Sequence, residues 1–312
     1  MDILLLVSIA QSILAATWRM ATPLIYTAIG EIFTERSGVI NIGLEGIMLI
    51  GALSGYVVTS YTDSLFLGIS SAVLSGIISG LLFSLFTVTI KANQIVVGAA
   101  FNMIGTGLTG FIYRTLYSGG STDKLVLDTF PSIKIPLLSD IPFFGEILFQ
   151  QNLMVYATVV LVPLAAFILS KTAFGLYVKA VGEHPKAADT SGINVTLIRY
   201  ISTTIGATLA ALGGAYLSMA HANQFVEGIA TGRGFIALAV VVFGRWSPWG
   251  AMGASLLFGV FYALQLRLQA MSGNVIPYQF LQVLPYLATL IVLVSLKGRG
   301  AEPKALGKPY KA

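Results

Sequence analysis

Long apolar stretches separated by short polar segments fill almost the whole chain. A helix needs about 20 mostly apolar residues to cross the roughly 30 Å hydrocarbon core of a bilayer. By that measure the sequence contains about nine candidate membrane-spanning helices, at residues 4–30, 38–60, 65–90, 95–117, 153–170, 197–220, 223–244, 250–270 and 280–296. The pattern therefore predicts an all-α integral membrane protein built as a polytopic helical bundle.

Two of these stretches contain residues that a simple membrane-spanning helix does not favour. Arg19 lies in the middle of the first stretch, where an unpaired charge in lipid would be costly. Either Arg19 faces a polar interior, or the residues before it form a helix at the membrane surface and the true span is short. The seventh stretch is interrupted by Gly228, Gly232, Arg233 and Gly234. We therefore predict that the seventh element is broken or re-entrant.

The composition agrees with this class and excludes several others. Of the 312 residues, 56% are hydrophobic and 10% are charged, whereas about a quarter of the residues of a soluble domain are charged. The chain has no cysteine and two histidines, which excludes disulfides, thiol nucleophiles and metal centres built on either residue. The apolar stretches also lack the paired aspartates, Ser/His pair or histidine cluster that an intramembrane enzyme needs. We expect no cofactor, no metal and no catalytic residue.

The distribution of charge predicts the orientation, because cytoplasmic segments of membrane proteins are rich in lysine and arginine. The segment 297–312 carries five basic residues, and the loop 171–199 carries four basic against two acidic residues. Both are predicted to be cytoplasmic, whereas the loop 118–152, with four acidic and two basic residues, is predicted to be extracytoplasmic. We therefore divide the chain into a transmembrane domain, 1–296, with its N-terminus outside, and a poorly ordered cytoplasmic tail.

Pairs of small residues four positions apart predict where helices approach one another closely. Gly51 and Gly55 form one such pair, and Gly76 and Gly80 form another. Small residues in this spacing let the backbones of membrane helices come into contact. We interpret these glycines as packing positions and not as ligand contacts.

The loop 171–199 contains the features of a short helix held outside the bilayer. Pro185 fits the first turn of a helix, where its missing N–H costs nothing. Gly182 can open the turn before that helix, and Gly192 can close it in a left-handed cap. Ala188 and Gly192 are four residues apart and would share one side. A helix with such a small face could dock into a groove of a soluble partner, although the loop could equally be a solvated basic segment.

The sequence from Ala180 to Val195, AVGEHPKAADTSGINV, resembles the coupling-helix region of ABC-importer permeases. Its A-A-x3-G motif resembles the signature of that helix, with Lys186 where the signature usually has glutamate, and the later part of the wider signature is not evident. The run is similar to the branch that contains ribose, branched-chain amino acid and nucleoside permeases. This resemblance implies contact with an ABC ATPase at Gly182, Glu183, His184, Pro185, Ala187, Ala188 and Gly192.

A second informative stretch runs from Glu31 to Gly51, where polar residues lie at the start of a predicted span. Asn41 and Glu45 are four residues apart, so they would share one face of a helix. A carboxylate inside a membrane helix is expensive and usually faces a bundle interior, a partner or a water path. These two residues therefore either line the permeation pathway or cap and cross-link neighbouring helices.

Further polar residues follow a break between the third and fourth stretches. Gln94 lies in this break, Asn102 follows about two turns into the next span, and Thr106 comes one turn later. Their amide and hydroxyl groups could replace the water around a dehydrated polar solute. The alternative is a hydrogen bond between helices, worth about 0.6 kcal/mol in a membrane. We favour a pathway role for Asn102 and the helix-to-helix bond for Thr106.

The resemblance to permeases extends over essentially the whole chain. The runs Glu35–Ala52, Lys91–Gly98 and Gly232–Ser255 all resemble the nucleoside branch, whose members are associated with basic membrane proteins. This implies the type II-like fold of ABC importer permeases and a chain that is not itself an enzyme. It also implies three kinds of partner: ABC ATPase subunits, a second permease subunit that could be non-identical, and an extracytoplasmic substrate-binding lipoprotein.

The expected activity is transport across the cytoplasmic membrane, with a purine nucleoside as the first choice of cargo. A simple sugar such as ribose comes next, and then a branched-chain amino acid. An ion-coupled secondary carrier is the alternative from another class. It would require several buried carboxylates and no docking helix, whereas the sequence offers only Glu45 as a clearly buried one.

Overall fold

The computed structural model describes residues 3–117, 126–127, 130–136, 138–139, 141, 143–272, 280–281, 283, 287 and 302–310. These residues are mainly helical. The helices are α1 (Ile3–Arg36), α2 (Leu44–Thr62), α3 (Leu65–Ser84), α4 (Gln94–Tyr117), α5 (Phe144–Leu148), α6 (Leu153–Lys171), α7 (Ala173–Glu183), α8 (Pro185–Thr190), α9 (Val195–Tyr216), α10 (Arg233–Phe243) and α11 (Pro248–Ser272).

Three smaller elements complete the described architecture. Single π-helical turns, Leu85–Thr89 and Leu217–His221, extend α3 and α9. Strands β1 (Ser132–Lys134) and β2 (Gln150–Asn152) pair antiparallel. This two-stranded ribbon lies within the predicted extracytoplasmic loop, immediately before α6.

Six helices of the described part are long and apolar enough to cross a membrane: α2, α3 and α9 with their π-helical turns, α4, α6 and α11. The predicted count of about nine spans is therefore not confirmed. Helix α1 is one continuous helix of 34 residues in which Arg19 is exposed, and it is not among these six. Both alternatives given for the first stretch therefore stay predictions. Most of the ninth stretch, 280–296, lies outside the described residues.

The break predicted in the seventh stretch is confirmed. Residues 222–232 are not helical, and the helix that follows them, α10, has only 11 residues. Gly232, directly before α10, has a φ of +83°. That left-handed conformation is open to glycine without steric cost, so Gly232 allows the chain to turn into the helix.

Helix α9 lies at the centre of the bundle and packs against α1, α2 and α3. It can do so because its faces are lined by alanine and glycine, and the predicted glycine pairs meet it from α2 and α3. A Cβ atom built on Gly51 would lie 2.2 Å from the carbonyl oxygen of Ala211, and one on Gly76 would lie 2.6 Å from the Cα of Thr208. These backbones touch, as the small-residue pattern predicted.

The segment 302–310, which we expected to be poorly ordered, packs against the end of the bundle where α1 and α7 finish. Ala305 N donates to Gly182 O at 2.9 Å, and Gly307 N donates to Gly38 O at 3.2 Å. The expectation was wrong because local composition cannot register these long-range backbone hydrogen bonds. We call residues 302–310 the C-terminal strap.

Replacement of Gly76 by alanine should destabilise the bundle, because its new Cβ meets the α9 backbone. Overpacking of this kind costs about 1–3 kcal/mol, so the melting temperature of the purified protein in detergent should fall by several degrees. Gly107→Ala is the matched control in α4, since a Cβ there has nothing within 4 Å. Equal melting temperatures for the two variants would contradict the close contact of α3 with α9.

Candidate functional site

Residues 37–43, the α1–α2 loop, are mostly buried although they form no helix or strand. Ser37, Val39 and Asn41 have no exposed surface. Buried backbone N–H and C=O groups that leave a helix must find other partners, because an unpaired group costs as much as a lost hydrogen bond. The side chains that supply these partners define the candidate site.

Two of the polar residues singled out in the sequence, Gln94 and Asn102, satisfy this loop together with Glu31. Gln94 Oε1 accepts from Ile40 N at 2.8 Å, and Glu31 Oε1 accepts from Asn41 N at 2.8 Å. The Asn102 amide forms one hydrogen bond on each side of the start of α2. Its Nδ2 donates to Ile42 O at 2.9 Å, and its Oδ1 accepts from Gly46 N at 2.8 Å. Glu31, Gln94 and Asn102 therefore link α1 and α4 to this loop and to the start of α2, whereas the hydrogen bond of the Asn41 side chain, to Gly43 N, stays within the loop.

Asn41 does not share a helix face with Glu45, so that part of the prediction was wrong. Helix α2 begins at Leu44, three residues after Asn41. The Asn41 side chain accepts from Gly43 N at 2.9 Å. An asparagine that bonds the backbone two residues on favours a turn over a helix, which is why the helix starts later than the apolar pattern indicated.

Glu45 joins the start of α2 to the start of α10. Its Oε1 accepts from Gly232 N and its Oε2 accepts from Gly234 N, both at 2.7 Å. Gly234 must be small here, since a Cβ on it would lie 2.4 Å from Glu45 N. A negative charge at a helix N-terminus is stabilised by the unpaired N–H groups and the helix dipole. The half-buried carboxylate of Glu45 is thus compensated by α10.

Both helix starts lie part-way along α4, where Leu44 is buried and Gly232 is half-buried. Asn102 is eight residues beyond Gln94 on α4, which corresponds to about 12 Å of helix. Gly46 is bonded to Asn102, and α10 is bonded to the neighbouring Glu45, so α2 and α10 both begin near this depth. Non-helical backbone at membrane depth is found where it is buried in protein or lines a water-filled cavity. Broken helices that meet near the middle of the bilayer form the substrate sites of many transporters.

Some polar atoms of this cluster are buried and have no partner among the described residues. They are Asn41 Nδ2, Gln94 Nε2 and Glu31 Oε2. Buried amide donors are almost always satisfied by protein or water. The cluster therefore retains two donors and an acceptor with which it could bind water or a polar solute. The described residues contain no group of three or more His, Asp or Glu side chains that could hold a metal ion.

Two buried carboxylates were missed by the sequence reasoning. Glu31 and Glu35 are 0% and 2% exposed, whereas Glu45, expected to be the only clearly buried one, is half-buried. Glu35 accepts from the indole Nε1 of Trp246, and the Arg36 guanidinium donates to Trp246 O at 3.1 Å. The four-residue spacing of the two glutamates on α1 was the available signal, because it places both on one face.

The short helix predicted within the loop 171–199 is α8, with one correction at its start. Pro185 occupies the first turn, and Gly192 has a φ of +83°, as predicted. Gly182 does not open the turn but lies within α7. A Cβ on Gly182 would lie 2.0 Å from Arg36 O, so glycine is required there for contact between α7 and α1.

The exposed face of α8 differs from the predicted one. Ala188 is 5% exposed and belongs to the hydrophobic core, whereas Ala187 and Lys186 are exposed. Gly192 lies beyond the end of the helix, so it does not form one helical face with Ala188. The remaining residues of the predicted contact set, Glu183 and His184, connect α7 to α8.

A buried arginine joins this region to the α1–α2 loop. Arg199, near the start of α9, is 1% exposed. Its Nε donates to Ser37 O at 3.2 Å, and its Nη1 donates to Lys308 O at 3.1 Å. The sequence identified Arg199 only as a basic residue of a cytoplasmic loop. A fully buried arginine that bonds two carbonyl groups instead fixes the positions of the loop and the C-terminal strap.

The chain is similar to known permeases along almost its whole length. Residues 13–296 match the family model described as branched-chain amino acid transport system / permease component. The chain is 40% identical to the guanosine ABC transporter permease protein NupQ of Bacillus subtilis, over 99% of this chain and 98% of the relative. It is 39% identical to the nucleoside ABC transporter permease protein NupC of Lactococcus lactis, over 97% and 98%.

The name of a third relative specifies a different cargo. The putative glucose ABC transporter permease protein TsgC13 of Haloferax volcanii is 35% identical, over 92% of each chain. No solved structure matches the chain.

Replacement of Glu45 by glutamine should destabilise the protein, because one of the two N–H groups at the start of α10 then faces an amide NH₂. Loss of a hydrogen bond to a charged group costs about 1–3 kcal/mol, which should appear as a lower melting temperature. Glu227→Gln is the control: its side chain is 45% exposed and pairs with Arg114, and such pairs contribute about 0–1 kcal/mol. An equal or larger loss for Glu227→Gln would contradict the role given to Glu45.

Proposed function

The chain belongs to the family of branched-chain amino acid transport system permease components, and we propose that it forms the translocation pathway of an ATP-driven importer for nucleosides. The structural observation that carries this proposal is the meeting of two helix starts part-way along the bundle, joined by Glu45. The choice of cargo rests on the relatives named for guanosine and nucleosides, each about 40% identical along nearly its full length. The corresponding fold is the type II-like fold of ABC importer permeases.

Simple sugars and branched-chain amino acids are the other cargoes to be tested. The relative named for glucose is 35% identical, and the family description names branched-chain amino acids. One observation favours an ion-coupled carrier, since Glu31 and Glu35 are two buried carboxylates of the kind such a carrier uses. Membership of a permease family over most of the chain outweighs it.

The proposed complex contains three further kinds of subunit. ATP hydrolysis takes place in ABC ATPase subunits, so this chain is not itself an enzyme. A second permease subunit, identical or not, encloses the pathway from the other side, and an extracytoplasmic lipoprotein delivers the solute. We place the N-terminus outside and the tail 297–312 inside. The contacts of the C-terminal strap with Gly38 and Gly182 support this, because they bring the loop after α1, the end of α7 and the tail to one side.

The proposed mechanism is alternating access driven through α8. Movement of α8 passes to α1 through the backbone contact of Gly182 with Arg36, and to the α1–α2 loop through Arg199. That loop is bonded to Gln94 and Asn102. A shift of α8 therefore changes the surroundings of the two helix starts, where Asn41, Glu45, Gln94 and Asn102 are proposed to line the pathway.

The proposal is tested by uptake into proteoliposomes that contain the complete importer. Labelled guanosine should accumulate only when ATP is present, and excess unlabelled inosine should compete, whereas excess ribose or leucine should not. Inhibition by ribose or leucine with no effect of inosine would overturn the assignment of cargo.

The same assay tests the pathway residues through Gln94→Glu. This change keeps the oxygen that accepts from Ile40 N and places a carboxylate at the start of α4, where the helix dipole favours it. It replaces the unpartnered Nε2 donor by a carboxylate oxygen, which cannot donate. Uptake should fall by about tenfold, the effect of a lost hydrogen bond of about 1.4 kcal/mol, while assembly and basal ATPase activity are retained. Unchanged uptake would make Gln94 a purely structural residue.

Docking of the ATPase on α8 is tested by Ala187→Trp. Ala187 is exposed, so the variant should insert and fold normally but fail to retain the ATPase and to transport. Ala187→Ser is the size-matched control and should behave as the wild-type protein. Ala188→Trp is not a clean test, since overpacking of its buried site would destabilise the permease itself. Normal ATPase retention and transport by Ala187→Trp would contradict the docking role of α8.

A further inference from the structure

The C-terminal strap closes over the region of α8 and is held there at several points. Besides the two backbone hydrogen bonds to Gly182 and Gly38, Lys308 O accepts from Arg199. The phenol of Tyr310 donates to Asp189 Oδ2 at 2.8 Å, a bond that raises the pKa of Tyr310 because ionisation would break it. Asp189 belongs to α8, so the strap is fastened directly to that helix.

The apolar side chains of the strap also anchor it. Pro303 and Ala305 are buried, and Leu306 packs against the main hydrophobic core. Lys304 and Lys308 point the other way and are exposed. The strap is therefore amphipathic: one side belongs to the permease, and the other presents positive charge.

A groove opens between the strap and α8, with a cavity volume of about 600 Å³. Lys186 and Ala187 of α8 line one wall, and Lys304, Lys308 and Tyr310 of the strap line the other. Among the described residues that line the groove, Glu183 is the only acidic one, and Asp189 lies next to the groove with its carboxylate bonded to Tyr310. Three lysines around a groove attract a partner of opposite charge.

We propose that the strap and α8 together form the docking surface for the ATPase, and that the groove between them receives an acidic segment of that subunit. The inference rests on the proposed function and extends it, because it assigns half of the docking surface to residues after the last membrane span. The strap also bonds Gly38 and Arg199, so a partner that binds in the groove and moves acts on the α1–α2 loop as well as on α8. An ATPase bound in the groove would therefore be connected both to α8 and to the α1–α2 loop.

An anionic lipid headgroup would share the charge of such a segment, but the position of the groove favours a protein. Its α8 wall is a separate short helix between the ends of α7 and α9, and its other wall is polypeptide that lies outside the apolar helices. Besides the charged lysines, the groove has rigid and apolar parts, formed by Pro185, Pro309 and Tyr310. A contoured surface of this kind fits a shaped protein segment better than a mobile headgroup.

The test is the binding of the purified nucleotide-binding subunit to the permease in nanodiscs, measured at several salt concentrations. The double variant Lys186→Glu/Lys304→Glu reverses one charge on each wall and leaves the buried contacts of the strap intact. Its affinity for the subunit should fall by about tenfold or more, since like charges then face each other. Wild-type binding should weaken as salt rises, and the salt dependence should be smaller in the variant.

Lys171→Glu is the matched control, because Lys171 is an exposed lysine at the end of α6 that does not line the groove. It should bind the subunit as the wild-type protein does, and all three proteins should elute alike in size-exclusion chromatography. Tyr310→Phe adds a second readout: loss of the bond to Asp189 should loosen the strap and increase its proteolysis, with a smaller loss of affinity.

The outcomes separate this inference from the proposed function. Unchanged binding of the subunit by the double variant overturns the groove, whatever the wild-type importer transports. If the double variant instead loses only its retention on phosphatidylglycerol vesicles, the groove is a lipid site and the inference is wrong. A wild-type complex that binds the subunit in a salt-dependent way but takes up no nucleoside overturns the cargo and leaves the docking surface standing.

Discussion

Backbone that leaves a helix inside a membrane protein must be satisfied by other protein groups, because lipid offers it no hydrogen bonds. The α1–α2 loop meets this requirement with the side chains of Glu31, Gln94 and Asn102. The positions of α1, α2 and α4 relative to one another follow from these bonds, and so does the depth at which α2 begins. Glu45 then fixes α10 on α2, so the polar centre of the bundle depends on the loop being fully bonded.

Features that depend on the conformational preference of a single residue could be predicted from the sequence. Pro185 in the first turn of α8 and Gly192 in a left-handed conformation follow from the geometry of proline and glycine. The interruption before α10 follows from its glycines. Gly76 was predicted to be a position of close helix contact for the same local reason, and the structure shows that its partner is α9.

Features that depend on residues far apart in the chain could not be predicted in the same way. The Gly182 backbone meets Arg36, and the strap meets Gly38, across separations that no local pattern encodes. Ala188 looked like part of an open face because alanine is small, yet tertiary packing buries it. The apolar pattern over 38–60 predicted a helix that includes Asn41, whereas the Asn41 side chain bonds Gly43 N and forms a turn before α2.

The contacts of Arg199 also set an order of events during synthesis. One guanidinium bonds Ser37 O, made early in translation, and Lys308 O, made after every helix described here. Until residues 302–310 have left the ribosome, one of these two bonds is missing and the groove beside α8 has a single wall. The permease can therefore complete the groove only after all preceding segments have been made, so under the docking proposed above a nascent or truncated chain would offer an ATPase less than the finished protein does.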